Sequence, residues 1–428
     1  MQIHVVRPGE SLFGIARTYG VTTSELIRTN ELNEPGRLVV GQALVIPIVG
    51  RFYFVQRGDS LYSIGRRFGL TAAELARINA IPLNRPLDVG MRLYIPARPK
   101  RNAEFNAYVE PLGETVSPQL QQAAREAAPY LTYLAPFSFR INRDGTLNPP
   151  PLDEFPAIAR ANRVTLMMVV TNLEGGQFST DLARVILTSD PLQNRLLDNI
   201  ISTAQRLNFR DIHFDIERVR PEDREAYNRF LRKAADRIHA RGFLMSTALA
   251  PKTSREQRGE WYTAHDYRAH GEIADFVVIM TYEWGYSGGP AMPVSPIGPV
   301  RRVLEYALTE MPASKIMMGQ NLYGYDWTLP FRPGTTARAV SPQRAIDIAR
   351  REGVAIQYDT TAQAPFFDYL DDAGRRHRVW FEDARSIQAK FDLVKELGLR
   401  GVSYWKLGLS FPQNWLLIED NFNVTKRS

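Results

Sequence analysis

Eight apolar segments of strand length, most of them separated by helix-type sequence, restrict the fold of this chain more than any other feature. They are FNAYVEP (105–111), LTYLAPFSF (131–139), VTLMMVVTN (164–172), DIHFDIE (211–217), FLMSTALAP (243–251), FVVIMTYEW (276–284), KIMMGQNLYGYDW (315–327) and GVSYWKLG (401–408). Between the fourth and fifth, REAYNRFLRKAADRIHARG (224–242) has a helical period and ends in glycine. Strands joined by helical crossovers imply a parallel sheet, and eight of them predict an α/β chain closed as a (β/α)8 TIM barrel over 104–428. The gap between the seventh and eighth segments is too long for one helix. It contains AIQYDTTAQAPFFDYLDDAGRRHRVWFED (355–383), which reads as a small α+β insertion at about 340–385.

Ahead of the barrel the chain repeats itself. VVRPGESLFGIARTYGVTTSELIRTN (5–30) aligns without a gap on FVQRGDSLYSIGRRFGLTAAELARIN (54–79). Gly9 meets Gly58, Ser11 meets Ser60, Leu26 meets Leu75 and Asn30 meets Asn79, and the register holds to VGQALVIP (40–47) against VGMRLYIP (89–96). Each copy reads as strand, helix, helix, strand, with Ser11 capping the first helix and Gly20 ending it. Two small βααβ domains, 1–48 and 51–97, are therefore expected, followed by a proline-broken linker at 98–103.

Composition narrows the chemistry. The chain has no cysteine, so disulfides, zinc thiolates and cysteine nucleophiles are excluded. Its six histidines include no metal-binding spacing, so neither a metal site nor a cofactor is expected. No apolar run approaches the roughly 20 residues of a membrane span. The start, MQIHVVRPGESLFGI, shows no basic segment followed by an apolar one, so no secretory signal is expected. The net charge of +7 is localised: residues 51–101 hold nine Arg and one Lys against three acids, while residues 1–50 hold four Arg and four Glu. A local basic excess suits a polyanion, either nucleic acid, for which no motif is present, or an anionic cell-wall polymer, and equally a merely solvated arginine-rich surface.

The fourth segment carries the chemistry. Ile212, Phe214 and Ile216 alternate with His213, Asp215 and Glu217, so a strand would put its ionisable groups on one face. In a (β/α)8 barrel the carboxyl ends of the strands line the active site. Glu217, desolvated beside a second carboxylate, suits a general acid because both effects raise its proton affinity. Asp215 lies roughly 6.5–7 Å earlier on the same face. No second carboxylate is evidently placed as a nucleophile, which favours attack by the substrate's own 2-acetamido oxygen.

These residues support two resemblances. The repeated copies resemble the lysin motif, LysM, which implies binding to N-acetylglucosamine polymers such as peptidoglycan or chitin. HFDIE is similar to the end of the D-x-x-D-x-D-x-E signature of glycoside hydrolase family 18, which implies that Glu217 is the acid and Asp215 orients the acetamido group. His213 and Arg210 stand where that signature has aspartates. MTYEW (280–284) is similar to the family's sixth-strand segment, implying a hydroxyl from Tyr282, with Glu283 in place of the commoner Asp or Asn. Trp405 in SYWKLG matches the tryptophan beneath the cleaved sugar. His213, Trp284, Tyr323, Asp326 and Trp327 are the further substrate contacts expected. LysM copies joined to this barrel resemble spore germination proteins of the cortical fragment-lytic type. That implies a retaining N-acetylglucosaminidase acting as a monomer on spore-cortex peptidoglycan, located in the spore coat or cortex. A chitinase of the same mechanism and a catalytically silent glycan-binding coat protein are the alternatives.

Overall fold

The computed structural model describes residues 1–97, 99–259 and 261–427. Arg98, the first residue of the expected linker, lies outside the described residues. The first barrel strand begins at Arg101, inside that segment.

Eight parallel strands close the barrel. They are Arg101–Val109, Tyr133–Pro136, Thr165–Thr171, Asp211–Asp215, Leu244–Leu249, Phe276–Ile279, Ile316–Asn321 and Gly401–Trp405. Each pairs with the next in the series, and the eighth returns to the first through Gly401 opposite Glu104. The fourth strand shows why the alternation matters. Ile212, Phe214 and Ile216 enter the outer core with Tyr227, Phe230 and Leu231 of the following helix, Arg224–His239. His213 stands in register between Val169 and Ser246, and Val169 belongs to the inner cluster with Tyr108, Tyr133, Met167 and Phe276. Neighbours in parallel register share a face, so Asp211, His213 and Asp215 point into the barrel.

The seventh segment is two strands rather than one. The barrel strand stops at Asn321, and Gly324–Leu329 opens a separate five-stranded antiparallel sheet with Arg338–Val340, Gln357–Asp359, Ala364–Leu370 and Arg376–Trp380. The insertion thus starts near 324, earlier than its expected position. Both runs are apolar, and apolarity alone does not reveal a change of sheet. The helix Pro342–Arg351 completes the insertion, and Val340, Ile346, Ile356, Phe367 and Val379 form its core.

Each N-terminal copy folds as strand, helix, helix, strand. In the first, Gln2–Val5 pairs antiparallel with Ala43–Ile46 around the helices Leu12–Tyr19 and Thr23–Asn30. The second repeats this with Arg51–Phe54, Leu61–Phe68, Ala72–Ile78 and Arg92–Ile95. The shared asparagine has a structural cause. Asn30 donates to the Leu26 and Val45 carbonyls and accepts from the Val45 amide, and Asn79 does the same with Leu75 and Tyr94. In each copy this side chain ties the second helix to the closing strand.

Candidate active site

Asp215 is the last residue of the fourth strand, and Glu217 follows where the chain leaves the barrel. Two side chains hold that exit, one just past the third strand and one in the loop that follows the fifth. Asn172 accepts from the Glu217 amide at 3.0 Å and donates to the Glu217 carbonyl at 2.9 Å. On the other side, His265 accepts the Ala250 amide through Nδ1 at 2.8 Å, which leaves Nε2 protonated to donate to the Ile216 carbonyl at 3.2 Å. Burial holds His265 neutral, lowering its pKa to about 4. Arg218 then turns the chain with φ +54°, so the backbone of Glu217 is gripped from both sides.

Burial dominates the electrostatics. Asp215 is buried and its Oδ1 has no hydrogen-bond partner among the described residues. Desolvation pushes its pKa upward, and desolvation together with the Asp215 charge pushes Glu217 well above the usual carboxylate range, against a smaller opposing effect of Arg218. The pair therefore retains a proton near neutral pH.

The other walls come from the first, sixth, seventh and eighth strands. Tyr282, beyond the end of the sixth strand, lies against Gly319, where a Cβ would stand 2.9 Å from its ring. Burial is the main reason its hydroxyl keeps its proton, with added fields from Tyr108, Asp215, Glu217 and Glu283. Glu283, at φ +65°, accepts from the Tyr323 hydroxyl and, at 3.0 Å, from the Tyr325 hydroxyl. Half-buried Trp405 meets Phe137 and Tyr108 edge-on, with ring centroids 4.8 and 5.5 Å apart. Two neighbouring carboxyls, a tyrosine hydroxyl and an aromatic cluster therefore gather at the carboxyl ends of the strands, groups of the kind that glycosidic proton transfer uses.

The glycosyl hydrolases family 18 profile matches residues 113–409, and the LysM domain profile matches 4–47 and 53–96. The chain belongs to glycosyl hydrolase family 18. It is 67% identical to the cortical fragment-lytic enzyme of Bacillus subtilis (strain 168) over the whole of both chains, and 55% identical to that of Bacillus cereus over the same extent. The crystal structure of the Bacillus megaterium QM B1551 spore cortex-lytic enzyme SleL superposes with a TM-score of 0.93 at 56% identity, covering 100% of this chain and 99% of that one.

Within this family 18 barrel, His213 is not the open sugar contact expected of it. It has no exposed surface, and both ring nitrogens are occupied. Ser246 Oγ donates to Asp211 Oδ2 at 2.7 Å and so accepts from His213 Nδ1–H at 2.8 Å, which leaves Nε2 to accept from the Tyr108 hydroxyl at 2.9 Å. Burial lowers the His213 pKa to about 3 and raises that of Asp211 to about 7. The neutral ring thus steadies Tyr108, which in turn touches the Trp405 platform.

Asp326 and Trp327 also lie elsewhere than expected. Both belong to the first strand of the insertion. Asp326 accepts from Tyr369 at 2.7 Å and pairs with His377 at 2.9 Å, while the buried Trp327 donates to the Gly289 carbonyl. Tyr323 reaches the site through Glu283, and Trp284 is half-buried against the barrel's outer core. Sequence reasoning missed Asn172, Ser246, Tyr108 and Asp211. Only Asp211 had a visible signal, since it continues the alternation of 213, 215 and 217. A cleft of about 710 Å³ between the first LysM domain and the barrel flank, lined in part by Arg28, Tyr130 and Trp415, contains none of these residues.

Proposed function

We propose that this glycoside hydrolase cleaves spore-cortex peptidoglycan at β-1,4 bonds following N-acetylglucosamine, with retention of configuration. Glu217 gives its proton to the glycosidic oxygen as the bond from that oxygen to the anomeric carbon breaks. The 2-acetamido oxygen of the same sugar attacks the anomeric carbon, with the amide oriented by Asp215 and its carbonyl held by the Tyr282 hydroxyl. Glu217, now a carboxylate, takes a proton from the water that opens the cyclic intermediate. Trp405 supplies the apolar floor, and Glu283, Tyr323 and Trp284 border the sugar.

The observation that carries this reading is the placement of buried Asp215 and half-buried Glu217 at the end of the fourth strand with Tyr282 and Trp405, where desolvation raises the proton affinity of both carboxyls. Of the other carboxyls at these strand ends, Glu283 is occupied by two tyrosine hydroxyls and Glu110 is paired with Lys406, which supports the substrate's acetamide as nucleophile. Cortex as the substrate and a spore location are supported by the likeness to the cortical fragment-lytic enzymes.

Glu217→Gln keeps the shape of the side chain and removes the acid. Turnover of cortex fragments should fall at least about 10²-fold while glycan binding persists; undiminished hydrolysis would overturn the assignment. Mass spectrometry of a cortex digest should show products ending in N-acetylglucosamine. Efficient cleavage of chitin oligomers with intact cortex would mark a chitinase instead.

A further inference from the structure

The two LysM domains share a fold but not surroundings. The closing strand of the first presents Ala43 and Val45 to the barrel, where both join its outer core. The turn before that strand is plugged into the insertion. Val39, 5% exposed, packs in the insertion's core; Ile356 N–H donates to the Val40 carbonyl at 2.8 Å, Arg350 to Arg37 at 3.0 Å and Arg385 to Gly41 at 3.1 Å. A Cβ on Gly41 would lie 1.8 Å from the Ile356 carbonyl oxygen. Gln343 and Gln413 add hydrogen bonds to Asn30.

The second domain carries different side chains at the same positions. Asp88 takes the place of Val39 and is exposed, while Arg92 and Tyr94 take the places of Ala43 and Val45. It is attached instead to its twin: Gln2 pairs with the backbone of Phe52, Arg92 donates to the Thr18 carbonyl, and Phe52 and Phe54 pack on the first domain's core. Phe54 stands opposite Arg92, so the turns on either side of that pair leave one end of the two-stranded ladder. Tyr62, Leu83 and Val89, on or just beyond those turns, are 67%, 60% and 69% exposed. The first domain has Glu34 in place of Leu83, and its Val40 is only 37% exposed. Charge divides in the same way. Residues 51–97 hold seven Arg against three acids, whereas residues 1–50 hold four Arg and four Glu.

We infer that the two copies have divided their work. The first is a wedge joining barrel to insertion, and the second, through Tyr62, Leu83, Val89 and its arginines, retains the carboxylate-bearing glycan strand of peptidoglycan. Aromatic and aliphatic side chains offer flat contact to the C–H faces of sugars, and the surrounding guanidinium groups attract the strand's carboxylates. The inference takes only the identity of the polymer from the proposed function.

Sedimentation of the full chain with insoluble peptidoglycan tests it, with unchanged melting temperature as the check that each variant is folded. The double variant Tyr62→Ala, Val89→Ala should bind about tenfold more weakly, a loss of about 1.4 kcal/mol. Phe13→Ala, at the equivalent exposed position of the first copy, should stay within about twofold of the parent. Equal losses from both, or none from the double variant, would overturn the division of work. Parent binding should weaken as salt rises; retention on uncharged chitin equal to that on peptidoglycan at every salt concentration would remove the anionic partner. Turnover of short soluble glycan by the parent is read separately. Its absence with retention intact would defeat the hydrolase reading and leave this one standing.

Discussion

Asp215 and Glu217 are expensive where they sit, and the expense has a definite sign. A carboxyl whose proton affinity is raised by folding contributes stability that is present below its unfolded pKa and lost as pH rises through the folded value. For Asp215 that loss runs upward from the ordinary carboxylate range toward about 7. Asp215→Asn should therefore raise the melting temperature more at pH 8 than at pH 5, by about 1–2 °C for each kcal/mol recovered, while turnover collapses. Equal shifts at both pH values in a thermal melt would contradict the burial argument. Ser246→Ala tests the chain beneath the platform. It strips one partner each from Asp211 and His213 inside the barrel, so the expected cost is about 1–3 kcal/mol by denaturant unfolding. Asn172→Ala frees the backbone of Glu217, and kcat should fall with KM little changed. The alternation of residues 211–217 is legible in the order of the amino acids alone. Tyr108, Asn172 and Ser246 are not, because each lies on a different strand and becomes a neighbour only when register and closure are set.

At the scale of elements, the barrel strands appeared in the sequence because a buried parallel strand needs an apolar run and a crossover helix needs a 3.6-residue period. The seventh segment misled for the same reason. A barrel strand followed directly by an insertion strand gives one long apolar run, so Asp326 and Trp327 looked like strand-end residues when they serve the insertion. The turn at 37–41 shows the reverse case, in which duplicated sequence hides unequal burial. Val39→Asp places in the insertion's core the residue type that the second LysM domain carries at the same position, on its surface, as Asp88. It should cost about 2–5 kcal/mol through an unpaired buried charge, whereas Asp88→Val should change stability by less than about 0.5 kcal/mol. Chemical denaturation of both variants decides the matter, and similar effects would show that the two turns are equivalent after all.

Across the whole molecule, barrel, insertion and first LysM domain form one packed body, with the second LysM domain mounted on the first. Removing residues 1–98 would bare the barrel surface that covers Ala43 and Val45 and open the insertion core around Ile356. The truncated chain should thus melt measurably below the intact one, by about 1–2 °C for each kcal/mol lost in a packed body of this size; identical melting curves would make the first domain a loose tether. The amino-acid sequence by itself determined the eight strands, the duplicated domains, the face that carries Asp215 and Glu217, and the basic character of the second copy. These follow from periods of two and 3.6 residues and from charges counted along the chain. Only the tertiary structure decided that His213 is a neutral internal link, that Asn172 and His265 brace the backbone at Glu217, and that one LysM domain is buried where its twin is free. Such outcomes depend on which surfaces meet, and residues far apart in the chain leave no local period from which to read their meeting.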